Sequence, residues 1–160
     1  MAESKIKFFN HLKIHSQYSI CEGAIKIDTL KEFSKENKVK SFGLCDTSNL
    51  CGALEFAEKI SKIGTQPIIG TQINIKFGNI FGYLPIFALN EEGYKNIIDL
   101  SSKSFLNDNG LADPHITFDE LLNNNQGVAI FSGTVFGLFG SLFDKGKFLE
   151  IKDLYSKLKL

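Results

Sequence analysis

Ser41-Phe42-Gly43-Leu44-Cys45 is a compact apolar run that breaks off directly into Asp46-Thr47-Ser48-Asn49. Such a run predicts a buried strand, and the polar quartet predicts the loop that leaves it. Beyond that loop, Ala53, Phe56, Ala57 and Ile60 recur at helical spacing, and Gly64 fits the helix stop. Pro67 to Phe77 predicts the next strand, because Ile73, Ile75 and Phe77 alternate with Gln72, Asn74 and Lys76. Strand, helix, strand is the unit of a parallel α/β sheet, and α/β is the fold class assigned here.

The same alternation extends in both directions. Upstream, Ile6 to Leu12 predicts a short strand ending in the polar segment Lys13 to Tyr18. Asp28 is read as the N-cap of a helix reaching about Asn37, with Leu30, Phe33 and Ser34 on one face. Downstream, Gly78-Asn79 is a turn signal leading into Ile80 to Leu89, where Pro85 argues for an edge or irregular position. Asn90 caps a helix carrying Tyr94, Ile97, Ile98 and Leu100, and Asn107 to Gly110 predicts a polar loop. Thr117-Phe118-Asp119-Glu120 is a capping box, since Thr117 and Glu120 can each satisfy a free helix-start amide. Gly127 to Ser132 reads as a strand, and two short helices from about Phe136 and Phe148 follow. No linker and no internal repeat divides residues 1–160, which are read as one unit without an internal boundary.

The chain has 160 residues, 43 % of them hydrophobic, and its 18 positive residues balance 18 negative ones. Every positive residue is Lys. A neutral chain without Arg lacks both a basic footprint for nucleic acid and the planar fork that grips phosphate bidentately. This excludes a basic groove within these residues, not a nucleic-acid enzyme as parent. Apolar runs such as Leu84 to Leu89 are too short to cross a bilayer, and Met1 to Tyr18 has no secretory pattern. Cys21, Cys45 and Cys51 give an odd count without C-x-x-C spacing, which fits reduced thiols in a cytosolic protein, each read as a small buried hydrophobe. Fifteen Phe and no Trp predict a core of rings that need no hydrogen-bond partner.

In parallel α/β folds reactive groups collect at the carboxyl ends of strands. Those ends hold His11 and His15, then Asp46, then Gln72, then Ser132 to Thr134. Two histidines with Glu22 and Asp46 nearby in sequence point toward a zinc or manganese site, but three or four convergent ligands are needed and candidates run short. His115, the remaining histidine, lies beside Pro114. Asp46 is read most simply as the N-cap of the helix that follows it.

These residues also carry a family resemblance. His11-Leu12-Lys13-Ile14-His15-Ser16-Gln17-Tyr18-Ser19 followed by Glu22-Gly23-Ala24 resembles the opening of the polymerase-and-histidinol-phosphatase (PHP) domain. More narrowly it resembles the PHP domain that begins bacterial DNA polymerase III alpha subunits. The likeness continues through Leu44 to Phe56, Pro67 to Gly70, Ala88 to Asn96 and Ser132-Gly133, in the family's order. It implies part of a distorted seven-stranded β/α barrel of the TIM-like kind, whose strand ends hold metal ions for phosphoester hydrolysis in catalytic members. Against that pattern, Lys13 stands where His is expected, His15 is kept, and Glu22 replaces an Asp. Thr47 stands for a His, Gln72 for an acid, Tyr83 for a His and Thr134 for a Cys. Only His15 and Glu22, two of these seven positions, keep a ligand-type side chain. The expectation is therefore no catalytic residue and no metal within this chain; if a metal bound, His15, Glu22 and Asp46 would hold it. Lys13 is expected to pair with Glu22 or Asp46 and close the site.

The resemblance further implies a supporting, non-catalytic role inside a replicative DNA polymerase in the bacterial cytoplasm. The parent would use Mg²⁺ for nucleotidyl transfer and would make the DNA contacts; no cofactor is expected in this segment. Expected partners are the rest of the alpha subunit and the proofreading exonuclease subunit, with no membrane. A barrel of about 250 residues would extend past Leu160, so 1–160 is read as truncated on its C-terminal side and prone to self-association. The alternative is a metal-dependent phosphoesterase of the same superfamily.

Overall fold

Ile73, Ile75, Leu84 and Ile86 are fully buried on two adjacent strands, and the turn between those strands sets the direction of the sheet. The computed structural model describes residues 9–106 and 113–158. In chain order the elements are α1 (Ile27–Glu36), β1 (Ser41–Thr47), α2 (Ala53–Ser61), β2 (Gln66–Phe77) and β3 (Ile80–Ala88). They are followed by α3 (Glu91–Leu106), β4 (Ile116–Thr117), α4 (Phe118–Asn123), β5 (Val128–Ile130), α5 (Leu138–Asp144) and α6 (Phe148–Leu158).

β1 and β2 are parallel, joined by α2, with Ser41 opposite Gln66 and Thr47 opposite Gln72. Between β2 and β3, however, stand only Gly78 and Asn79. Two residues can close a hairpin but not a parallel crossover, so β2 and β3 run antiparallel, from Phe77 opposite Ile80 to Gly70 opposite Phe87. The all-parallel sheet expected from the element order is thereby corrected to a mixed one. It has five strands among the described residues, in the order β1-β2-β3-β5 with β4 on β2. β4 is parallel to β2 and β5 is antiparallel to β3. Because β3 occupies one edge of β2, β1 and β4 share the other, one after the other.

Several expected boundaries move for identifiable reasons. Ile6 to Phe8 lie outside the described residues, as does Asn107 to Gly110. Phe9 to Leu12 forms no regular strand. The strip from His11 to Ile14 instead clings to β1 through Gly43 N–H donating to the His11 carbonyl (2.7 Å) and Cys45 N–H to that of Ile14 (2.8 Å). Ile14 N–H folds back onto the Leu12 carbonyl at 3.2 Å, which breaks the ladder spacing. Asp28 lies in the first turn of α1 rather than at its N-cap, which is Lys26; the helix begins two residues earlier than expected, at the fully buried Ile27. Asp28 instead ties α1 to α2 through Lys59 at 2.6 Å. Phe33 is 44 % exposed, with one face stacked on Phe42. β5 stops at Ile130, two residues short of expectation. Phe131 N–H still donates to the Pro85 carbonyl (2.9 Å). Since the N and C=O of a strand residue face the same side, the nitrogen of Pro85, which has no hydrogen, points where β5 has ended.

Both predicted caps form: Asn90 Oδ1 accepts from Gly93 N–H at 2.9 Å, and Thr117 and Glu120 close a reciprocal capping box. The core has two parts. Ile27, Leu30, Phe42, Leu44, Phe56 and Ile60 pack α1 and α2 onto β1. The larger part packs α3 through α6 onto β2, β3 and β4, around Ile73, Ile75, Leu84, Ile97 and Leu142. No helix among the described residues is long and apolar enough to cross a membrane.

Gly43 is where the first core meets the amino-terminal strip. A Cβ on it would lie 2.3 Å from the Leu12 carbonyl oxygen and 2.5 Å from Leu12 Cα, so backbone rather than a side-chain tip must move. Gly43→Ala is expected to destabilise the fold by about 3 kcal/mol in urea unfolding. Gly64→Ala, at φ +79° with nothing within 4 Å, is expected to cost about 1 kcal/mol from its left-handed backbone alone.

Candidate functional site

The parallel register that sets Asp46 opposite Thr71 and Thr47 opposite Gln72 builds the site. Successive strand residues point to opposite faces, so Asp46 and Thr47 serve different environments. The Asp46 carboxylate is 1 % exposed. It accepts from Ser16 N–H at 2.6 Å, Ser16 Oγ at 2.8 Å and Ser19 Oγ at 2.7 Å. Ser19 Oγ in turn accepts from Thr47 N–H at 3.0 Å, and Thr71 Oγ1 donates to the Asp46 carbonyl at 2.6 Å. Asp46 is therefore not the N-cap of α2, a position held by Gly52 without any side-chain cap. It is the anchor of the turn at residues 16–19.

Next along the turn, Glu22 and Gly23 N–H both donate to the Ser19 carbonyl, which brings Glu22 over the end of β1. Thr47 Oγ1 donates a short hydrogen bond to Glu22 Oε2 and accepts from Gln72 Nε2 at 2.8 Å. His15 Nδ1 stands 3.4 Å from both Thr47 Oγ1 and Ser19 Oγ and 3.6 Å from Glu22 Oε2. Lys13, Glu22, Gln72, Tyr83 and Thr134 then line one cleft of about 320 Å³, walled by Pro85, Gly133, Phe136 and Gly137. Thr134 Oγ1 accepts from Phe136 N–H at 3.3 Å, which fixes the loop that forms the far wall.

All seven positions singled out by the family pattern thus meet in space. Five line the cleft, while Thr47 and His15 bond to or border its members. Gln72 reaches it from the middle of β2 rather than from a strand end, because the β1–β2 ladder ends at its rung. His11 is elsewhere, in an apolar groove with its ring against Phe9 and Phe42. His115 is buried on the edge of Phe81, its Nδ1 2.9 Å from the Asp113 carbonyl. Cys45 is buried, and burial pushes its thiol up to about 12 against the weaker opposing pull of Lys13. Cys21 and Cys51 are exposed and free, against the expectation of buried thiols: Cys21 occupies a left-handed turn position at φ 67°, and Cys51 precedes α2 in a loop.

Burial holds His15 below its ordinary value; Glu22 opposes that shift and Lys13 adds to it. Tyr83 is raised by burial and by the negative charges of Asp113 and Glu22. The expected pairing of Lys13 does not form. Both Asp46 oxygens are occupied by the serines and Glu22 is engaged by Thr47, so Lys13 faces the cleft from an exposed position. This donor set does not fit a divalent cation. The Lys13 ammonium would repel one, and the buried Asp46 carboxylate has both oxygens engaged by serines. Only His15 and Glu22 remain as ligand-type side chains, and the other positions are amide, hydroxyl and phenol. Among the described residues no three His, Cys, Asp or Glu side chains converge as a metal-ligand set. Sequence reasoning missed Ser16 and Ser19, whose role depends on contacts 27 and 30 residues away. Their only signal is two small hydroxyls inside a polar segment.

Residues 11–159 match the family described as the PHP domain. The DNA polymerase III subunit alpha of Caulobacter vibrioides is 34 % identical over 160 residues, covering 94 % of this chain and 14 % of that protein. That of Rickettsia felis is 40 % identical over 134 residues, covering 82 % of this chain and 11 % of that protein. This chain therefore spans only 11–14 % of the length of these relatives. Among solved structures, a putative metal-dependent phosphoesterase from Bifidobacterium adolescentis aligns at 18 % identity and a TM-score of 0.44, over 92 % of this chain and 54 % of that one.

Replacing Asp46 by Ala strands three donors in a dry site, and a loss of about 4 kcal/mol is expected in urea unfolding, roughly that of two charge-assisted hydrogen bonds. His15 carries a pH signature. Its folded value is lowered, so the unfolded chain takes up the proton first, and stability is present above about pH 6.5 and declines as the pH falls below it. Urea midpoints at pH 7.5 and 5.5 should differ by less in His15→Gln than in the parent.

Proposed function

The chain belongs to the PHP domain family, and on that premise we propose that it is the N-terminal PHP segment of a bacterial replicative DNA polymerase III alpha subunit, supporting the polymerase body without hydrolytic activity of its own. One observation carries the non-catalytic part. At the positions where the family pattern expects metal ligands, this chain gathers Lys13, Thr47, Gln72, Tyr83 and Thr134, with only His15 and Glu22 able to ligate. Metal-assisted hydrolysis needs a cation to polarise the ester and to activate water. A cleft whose one carboxylate, Glu22, shares its lining with an ammonium and neutral groups gathers too few ligands to hold that cation.

The supporting role draws on a second region. Among the described residues β5 pairs only with β3, and the neighbouring surface exposes Phe136 (84 %), Leu149 (81 %), Phe143 (64 %) and Tyr155 (59 %). An open strand edge beside apolar side chains is a surface built to be covered. We assign its cover to further strands of a seven-stranded barrel and to the remainder of the alpha subunit; without them, the chain self-associates through this face. In this reading the protein is cytoplasmic, and DNA binding and Mg²⁺-dependent nucleotidyl transfer belong to the parent. Docking of the proofreading exonuclease is part of the same proposal.

The rival reading is a metal-dependent phosphoesterase using His15, Glu22 and Asp46. It is disfavoured because Asp46 spends both oxygens on Ser16 and Ser19. Elemental analysis of purified protein should find well under one equivalent of zinc or manganese, and bis-p-nitrophenyl phosphate with added Mn²⁺ should turn over no faster than the blank. Stoichiometric metal together with Mn²⁺-dependent turnover would establish the rival instead.

A further inference from the structure

Lys13 and Glu22 line one small cleft, and each is left with binding capacity that the fold does not use. Lys13 forms no ion pair among the described residues, and Glu22 commits one oxygen, Oε2, to Thr47. Gln72 spends its amide nitrogen on Thr47, which leaves Oε1 as an acceptor, and the Tyr83 hydroxyl has no partner among the described residues. Lys13 and Glu22, both at exposed positions, put one positive and one negative side chain on the lining of the same cleft.

We propose that this cleft binds a small zwitterion of the amino-acid type, with the ligand's carboxylate on the Lys13 ammonium and its ammonium on the Glu22 carboxylate and Gln72 Oε1. The two lining charges cancel, so the complementary ligand is neutral overall but carries separated charges. A simple anion would meet Glu22 and a simple cation would meet Lys13, and each would leave one lining charge unanswered. The volume, about 320 Å³, is at the small end of ligand sites and suits an amino acid rather than a nucleotide. The inference rests on the cleft being free of metal, as argued above.

The test is nuclear magnetic resonance of the isotope-labelled full chain in EDTA, titrated with glycine, β-alanine and γ-aminobutyrate, with acetate and methylammonium as single-charge controls. The Gly133 and Gly137 amides and the Gln72 side-chain NH₂ report on the cleft. Saturable shifts with at least one zwitterion are expected, with each single-charge control binding at least about tenfold more weakly. Lys13→Met and Glu22→Gln, both at exposed positions, should each weaken that binding about tenfold while leaving the remaining spectrum in place. The inference is overturned by the lack of any saturable shift at these signals, by acetate binding as tightly as the zwitterions, or by parental affinity in both variants. A parallel titration with Mn²⁺ separates the two readings. Stoichiometric broadening of the cleft signals would remove the metal-free premise itself, whereas missing zwitterion shifts without broadening would remove only this proposal.

Discussion

The buried carboxylate of Asp46 is the interaction on which the site depends. Ser16 and Ser19 supply three donors to it, and Ser19 passes the connection on to the Thr47 amide. A carboxylate at 1 % exposure is costly unless its lone pairs are satisfied. Here satisfaction comes from a turn rather than from a cation, so the amino-terminal strip can leave the sheet only by exposing that cost. The strip needs such an anchor, because its backbone pairing with β1 is irregular and Gly43 leaves it just enough room.

The cleft is a consequence of that anchorage. Once residues 16–19 are pinned, the next turn brings Glu22 over Thr47 and Gln72, while Lys13 and His15 sit on the strip before the pin. The opposite wall comes from β3 and from the loop at Gly133 to Gly137, which bridges to Tyr83. Five segments distant in sequence therefore contribute one side chain or a few each. The electrostatic outcome follows from which groups are already used. Both carboxylates nearest Lys13 have partners of their own, so its charge faces the cleft rather than closing it.

How much of this was legible depends on the range over which each signal acts. Asn90 and the Thr117–Glu120 box were readable because a cap is satisfied within three residues. The Gly78-Asn79 turn was equally readable, and its length already demanded an antiparallel pair that element order alone obscured. Asp28 and Asp46 misled for the same reason. A short acidic side chain near a helix start reads as a cap, yet Lys59 on another helix claimed one and two serines claimed the other. The exposure of Cys21 was likewise hidden, since a left-handed turn position has no signature at a non-glycine residue.

By itself the sequence determined most of the helices, the strands β1, β2, β3 and β5, and the family pattern with its departures at Lys13, Thr47, Gln72, Tyr83 and Thr134. These are properties of residue type and local spacing. Only the tertiary structure decided that the seven pattern positions gather in and around one cleft, that Asp46 serves a turn, that Lys13 forms no ion pair among the described residues and that the sheet is mixed. Each of these is a competition among partners tens of residues apart, and it is settled by strand register and burial.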